Sequence, residues 1–218
     1  MRPQNRILAA VLGLLLFQGA QVAEAAPNDL RDFRIGMTLS SLPEMGYGNF
    51  TCGGTGSADP VTLDAWAGFA RCPADEDGLH EVAFDYVATR VEFVKANDKW
   101  EGTRVFGHPS IVSLLLDDEG VVRKIRIATD PRARRYMRKK AFLLGQRSKY
   151  HFSPTTWQCE DLAAAADEEP VGGVFYKERC VNRYDDRVVK LEIDLYHKRD
   201  QPEGSFVNAT RIEIAGAD

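Results

Sequence analysis

Residues 111–129 read Ile-Val-Ser-Leu-Leu-Leu-Asp-Asp-Glu-Gly-Val-Val-Arg-Lys-Ile-Arg-Ile-Ala-Thr. Two apolar runs, Ile111 to Leu116 and Val121 to Thr129, flank the turn-forming tetrad Asp117-Asp118-Glu119-Gly120. Apolar run, turn, apolar run is the signature of a β-hairpin. Toward the C-terminus the same strand chemistry recurs at Gly173 to Val181, Val188 to His197 and Phe206 to Ile214. In the middle run Val189, Leu191, Ile193 and Leu195 alternate with Lys190, Glu192, Asp194 and Tyr196, the period of two of a strand with one buried face. Toward the N-terminus, Val87, Thr89, Val91 and Phe93 alternate with Ala88, Arg90, Glu92 and Val94 and predict a further strand. Strand patterning is expected from Trp66 onward.

Helical signals are fewer. Thr38 is a candidate N-cap for a short helix through Leu39 and Leu42 to Met45, stopped by Gly46 and opposed by Pro43. Asp130-Pro131 opens the most legible helix: Asp as N-cap, Pro at the first helical position, Gly145 as the C-terminal stop. The expected class is therefore α+β, a mainly antiparallel β-sheet with few helices. Residues 26–34 read as a short lead-in, and the glycine-rich stretch 46–62 as an irregular loop around Cys52.

The two halves of the chain resemble each other. Each has a helical segment, then an aromatic two residues before a cysteine, in Phe50-Thr51-Cys52 and Trp157-Gln158-Cys159. Each then reaches an Arg-Cys after a further strand-like stretch, at Arg71-Cys72 and Arg179-Cys180, and Ala83-Phe84-Asp85-Tyr86 stands where Ile193-Asp194-Leu195-Tyr196 stands later. The similarity points to two tandem helix-plus-sheet modules, residues 26–129 and 130–218.

The first 25 residues point to export. Arg2 and Arg6 precede the apolar run Ile7 to Phe17, and Ala23-Glu24-Ala25 lies before Ala26-Pro27: a basic region, a short apolar region and an A-x-A cleavage site. The run falls short of the roughly 20 residues that span a bilayer, so a cleaved signal peptide over residues 1–25 is expected rather than an anchor. No later stretch is long and apolar enough for a transmembrane helix. Cleavage would leave 26 basic and 31 acidic residues, a net charge of −5. A mildly acidic exported chain makes nucleic acid an unsuitable partner. The localisation expected is periplasmic or secreted.

Export also bears on Cys52, Cys72, Cys159 and Cys180. An oxidising compartment favours disulfides, whereas structural zinc usually takes close Cys pairs, and none occurs here. Four cysteines allow three pairings. Similar loop lengths favour Cys52 with Cys72 and Cys159 with Cys180, each bridge stabilising by about 3 kcal/mol in the chain-entropy account.

Two segments, Phe33-Arg-Ile-Gly-Met-Thr-Leu-Ser-Ser-Leu-Pro-Glu-Met-Gly46 and Ser113 to Ile127, resemble the outer-membrane-assembly lipoproteins of the SmpA/OmlA type and the similarly folded β-lactamase-inhibitor-like proteins. In that group a Gly-Met-Thr segment opens a helical hairpin, and antiparallel strands joined by an Asp-x-x-Gly-x-Val turn follow. The lipoproteins carry an acylated N-terminal cysteine; this chain has no cysteine near its A-x-A site, so anchoring is not implied. Tandem modules with a disulfide each are closer to the inhibitor branch, whose members bind a partner protein through the exposed sheet face.

Motifs of catalysis are absent: there is no G-x-S-x-G, H-E-x-x-H, Walker loop or dinucleotide glycine fingerprint. Gly53-Gly54-Thr55-Gly56 follows a cysteine rather than a strand and reads as a loop. His80, His108, His151 and His197 lack metal-ligand spacing, and Asp75-Glu76-Asp77-Gly78 lacks the later ligands of a calcium loop. No cofactor or metal is expected.

The unusual feature is basic. Between Pro131 and Leu144 lie Arg132, Arg134, Arg135, Arg138, Lys139 and Lys140 with no acidic residue. As one helix, the segment would gather Ala133, Tyr136, Met137, Ala141, Leu143 and Leu144 on one face, and Arg132, Arg134, Arg135, Arg138, Lys139 and Phe142 on the other. Cations in a helix's first turn oppose its dipole and need a counter-charge. Acidic residues of the 160–169 loop are one source; an anionic partner is the other. The function expected is binding, to an envelope protein or an anionic surface, through Arg132, Arg134, Arg135, Arg138, Lys139 and Phe142 and an outer sheet face. The alternatives are a small exported hydrolase, requiring a histidine beside a carboxylate and a nucleophile in a pocket, and a carrier of a small ligand, requiring a cavity.

Overall fold

A computed structural model describes residues 28–54, 60–86, 102–153, 155–202 and 204–217. The signal peptide expected at 1–25 and the strand expected at 87–94 lie outside the described residues.

The hairpin forms as its sequence demands, with β4 at His108–Leu116 and β5 at Val122–Thr129, and Asp117 Oδ1 accepts the Val121 and Glu119 N–H groups to shape the turn. The other strands are β1 (Tyr47–Cys52), β2 (His80–Tyr86), β3 (Arg104–Val105), β6 (Gln158–Asp161), β7 (Glu168–Glu169), β8 (Tyr176–Tyr184), β9 (Arg187–Lys198) and β10 (Val207–Gly216). They make one antiparallel sheet in the order β1-β2-β4-β5-β10-β9-β8-β6, with β3 on β4 and β7 on β9. Strands from before residue 130 fill one half and strands from after it fill the other, joined where β5 pairs β10.

Register builds the core. Phe84, Val112, Ile127, Ile212, Leu191 and Cys180 lie side by side across β2, β4, β5, β10, β9 and β8. The adjacent row is Val82, Leu114, Ile125, Ile214, Val189 and Asn182. Both rows are buried on one face, and one continuous hydrophobic cluster runs through both halves. At the β1 end it is closed by Phe33, Tyr47, Phe50, Trp66 and Phe84 in edge-on and tilted contacts. Phe33 comes from the lead-in, which thus belongs to the core; beside it, Asp29 accepts from Ile35 N–H and pairs with Arg187 at 2.6 Å.

Both disulfides pair as expected, Cys52 with Cys72 and Cys159 with Cys180. The second links residues directly opposite each other on β6 and β8.

Four local expectations are corrected. The stretch expected as an irregular loop at 46–62 opens instead with β1, which pairs with β2 and buries Tyr47, Phe50 and Cys52 in the core. Thr38 to Met45 contains only a 3-10 turn at Leu39–Ser41, because Leu42, preceding Pro43, is forced into extended backbone. Trp66–Arg71, expected as strand, is a 3-10 helix burying Trp66 and Phe69.

The helix expected from Asp130 to Gly145 is also changed. Asp130 caps a turn instead, accepting Arg132 N–H, and the helical residues are α1 (Arg135–Arg138) and α2 (Phe142–His151). Between them and into the first turn of α2, Lys140, Ala141, Leu143 and Leu144 donate to the carbonyl three residues back, a 3-10 winding that turns about 120° per residue instead of 100° and shifts the phase of the faces. Gly145 lies inside α2, where a Cβ would stand 2.4 Å from Ile193 Cδ1. It permits α2 to lie close on β9 rather than ending the helix.

Gly145→Ala is therefore expected to destabilise by about 1–3 kcal/mol, overpacking outweighing the better helix propensity of alanine. Urea unfolding measures this, and adding Ile193→Val, which removes the nearer carbon, should recover part of the loss. A stabilised single variant would contradict the packing described.

Candidate functional site

The polar face of the sheet carries a network of cross-strand ion pairs, with Arg183 and Lys190 exposed and unpaired among the described residues. Arg126 on β5 bonds Glu81 on β2 and, at 2.7 Å, Glu213 on β10, which also receives Arg211 at 2.6 Å. Burial alone would raise the Glu213 carboxyl, but the two guanidinium groups outweigh it and hold it below its usual range. Arg179 grips Asp194 through both carboxylate oxygens at 3.0 Å, Lys124 meets Asp77, and Lys177 meets Glu168 at 2.8 Å. Such cross-strand pairing of opposite charges stabilises a sheet.

The basic segment differs. Arg132 wraps the buried Asp130 carboxylate, with Nη2 to Oδ2 at 2.7 Å, and Arg135 donates to the Gly204 carbonyl at 3.2 Å. The side chains of Arg134, Arg138, Lys139 and Lys140 are exposed and have no hydrogen-bond or ion-pair partner among the described residues. The acidic residues of 160–169 do not supply one: Glu168 is held by Lys177, Glu169 by Arg199, and Glu160, Asp161 and Asp167 form no ion pair among the described residues. The conflict with the helix dipole is smaller than the sequence suggests. Arg132 lies outside α1, and Arg138 to Lys140 sit at its C-terminal end, where cations are favoured.

Two expected placements change with the phase shift. Phe142, expected on the charged face, is partly buried and packs against the core. Tyr136, expected on the apolar face, is 57% exposed among the cations. Of the sequence-predicted contact residues, the structure thus groups Arg134, Arg135, Arg138 and Lys139 on one surface, sets Arg132 beside them on Asp130, and removes Phe142.

The histidines are dispersed. His80 bonds Asp118 at 3.0 Å and the Cys72 carbonyl, and these contacts raise its pKa. Among the described residues no serine, threonine or thiol bonds to it. His151 packs on Phe106 and Phe152, and burial lowers its pKa. His197 meets the Ser205 carbonyl. His108 is buried with no hydrogen bond to its ring among the described residues; burial first, then the guanidinium groups of Arg147 and Arg104, push its pKa down to about 4. Cys159, Glu178 and Cys180 have potential ligand atoms close together, but the sulfurs form a disulfide and Glu178 is held by Lys149 at 2.6 Å.

Beside the basic segment a cleft of about 440 Å³ opens, lined by Asp130, Arg138, Glu192, Asp194, Asn208 and Thr210 among others. Asn208 is the residue that sequence reading missed. It occupies a core-facing position of β10, two before Thr210, yet neither Oδ1 nor Nδ2 has a partner among the described residues. The signal was available as a lone polar amide on the apolar side of a strand, Asn208-Ala-Thr-Arg-Ile-Glu-Ile214. No family model, curated protein or solved structure matches this chain.

The state of His108 has a consequence for pH. An unfolded imidazole binds its proton near pH 6.5, the folded one only near pH 4, so stability is lost as pH falls between those values, by up to about 3 kcal/mol. His108→Gln should remove that part of the decline in urea unfolding measured from pH 7 to pH 4. An unaltered slope would show that His108 protonates freely in the folded chain.

Proposed function

We propose that this chain is an exported binding or accessory protein of a bacterial envelope, periplasmic or secreted, that holds an anionic partner on the surface formed by Arg134, Arg135, Arg138 and Lys139. The observation that carries the reading is the contrast between two charged surfaces of one molecule. On the sheet face Arg126, Arg179, Lys124 and Lys177 each have a carboxylate. On the basic segment Arg134, Arg138, Lys139 and Lys140 have none among the described residues. Clustered like charges repel, so such a surface is at its lowest free energy with a counter-charged partner upon it. Tyr136 adds an exposed aromatic of the kind that anchors interfaces.

The leader, its A-x-A site and the two disulfides support the export reading. The mirrored strand order about the β5–β10 seam supports a tandem origin for the halves before and after residue 130. The resemblance to SmpA/OmlA-type and inhibitor-like proteins supports a binding role. In this chain, however, most cations of the sheet face have a carboxylate, with Arg183 and Lys190 the exceptions among the described residues, and the contact is assigned to the segment beyond β5, where four unpaired cations lie within seven residues.

Because the mature chain would be acidic overall, retention on a polyglutamate resin isolates the local surface from net charge. The parent chain should be retained at low salt and released as salt rises. The Arg134→Glu, Arg138→Glu, Lys139→Glu variant should pass through, with an unfolding free energy within about 0.5 kcal/mol of the parent's. Equal retention of both would overturn the assignment.

A further inference from the structure

β5 and β10 pair from Lys124–Ala215 to Ala128–Arg211, after which Thr129 Oγ1 takes the Thr210 N–H and β5 turns away. β10 continues to Val207 paired with β9 alone. The cleft of about 440 Å³ lies in this fork, between the departing end of β5, the start of β10 and Arg138.

Three properties of the fork converge. The Asn208 carboxamide is buried with both donor and acceptor unpartnered among the described residues, so exchanging its oxygen and nitrogen would not satisfy it. Its backbone faces the fork: in an antiparallel strand alternate residues point their N–H and C=O to the same side, and Thr210 N–H points toward β5. Arg138, exposed and without an ion-pair partner among the described residues, stands at the rim, whereas the lining carboxylates are already met, Asp130 by Arg132 and Asp194 and Glu192 by Arg179.

We propose that the fork binds a short acidic peptide in extended form, one peptide unit meeting the Asn208 carboxamide and its backbone edge, and a carboxylate meeting the Arg138 guanidinium. The proposal rests on the basic segment being a contact surface, since Arg138 belongs to both, and it names the chemistry of the partner. A phosphate headgroup offers acceptors only and would leave Asn208 Oδ1 unsatisfied. A peptide unit supplies an N–H and a C=O together, which is what an unpaired carboxamide lacks. The open stretch of β10 adds the main-chain pairing by which strand edges take peptides. A volume of this size lies within the range of small-ligand clefts.

The test is a titration of the 15N-labelled chain with N-acetyl-Ala-Asp-Ala-amide, with its uncharged counterpart N-acetyl-Ala-Asn-Ala-amide, and with phosphatidylglycerol vesicles. The acidic peptide is expected to give saturable shifts of the Asn208 backbone and side-chain amide signals. Arg138→Gln should weaken binding by about tenfold or more, as should replacing the Asp. Asn208→Leu, which removes the orphaned atoms, should weaken it too while folding normally; if it does not fold, Asn208→Ala serves. Absence of saturable shifts, or equal affinity in these variants, overturns the proposal. Vesicle binding without a peptide response would remove the peptide and leave the anionic-surface reading; absence of both responses would remove the two together.

Discussion

The antiparallel seam between β5 and β10 is the constraint on which the rest of the structure depends. Ile125 faces Ile214 and Ile127 faces Ile212, and all four side chains are fully buried. A slip of one residue would turn each to the polar face, where Arg126 and Glu213 stand opposite each other in the present register. The seam thus aligns the hydrophobic rows and the ion-pair network by the same pairing. It also has an end. Where Thr129 replaces a backbone carbonyl as the acceptor for Thr210, the strands part, and both the cleft and the basic segment begin there.

Charge on this molecule is distributed by the same logic. The most deeply buried ions are matched: Asp29 with Arg187, Asp130 with Arg132, Glu178 with Lys149, and the half-buried Glu213 with two arginines. A buried charge without a partner is costly, so this matching is a condition of folding. The cations of the basic segment are exposed and make no such demand. Their placement is therefore free to serve contact with another molecule.

How far the fold was legible follows from which interactions are local. The β4–β5 hairpin and the alternation along β9 depend on neighbouring residues, and both are readable from 111–129 and 188–197. The disulfide pairing was legible from loop length. The break in the basic helix was not, because it follows from distant contacts: Thr210 Oγ1 bonds the Ala141 carbonyl, and Gly145 lies against Ile193. The role of Phe33 was hidden likewise, since its aromatic neighbours come from β1, β2 and the 3-10 helix. At the candidate site the arginines were legible by composition. The exchange of Phe142 for Tyr136 on the surface and the isolation of Asn208 were not, being consequences of helix phase and strand pairing.

The central claim is that the segment beyond β5, rather than the sheet face, meets the partner. The most direct measurement places a photoreactive amino acid at Tyr136 in one strain of producing cells and at Lys190, on the polar sheet face, in another. The account predicts a discrete crosslinked species from position 136, lost when Arg134 and Arg138 are also reversed in charge, and none from position 190. Crosslinking from position 190 with none from 136 would contradict it.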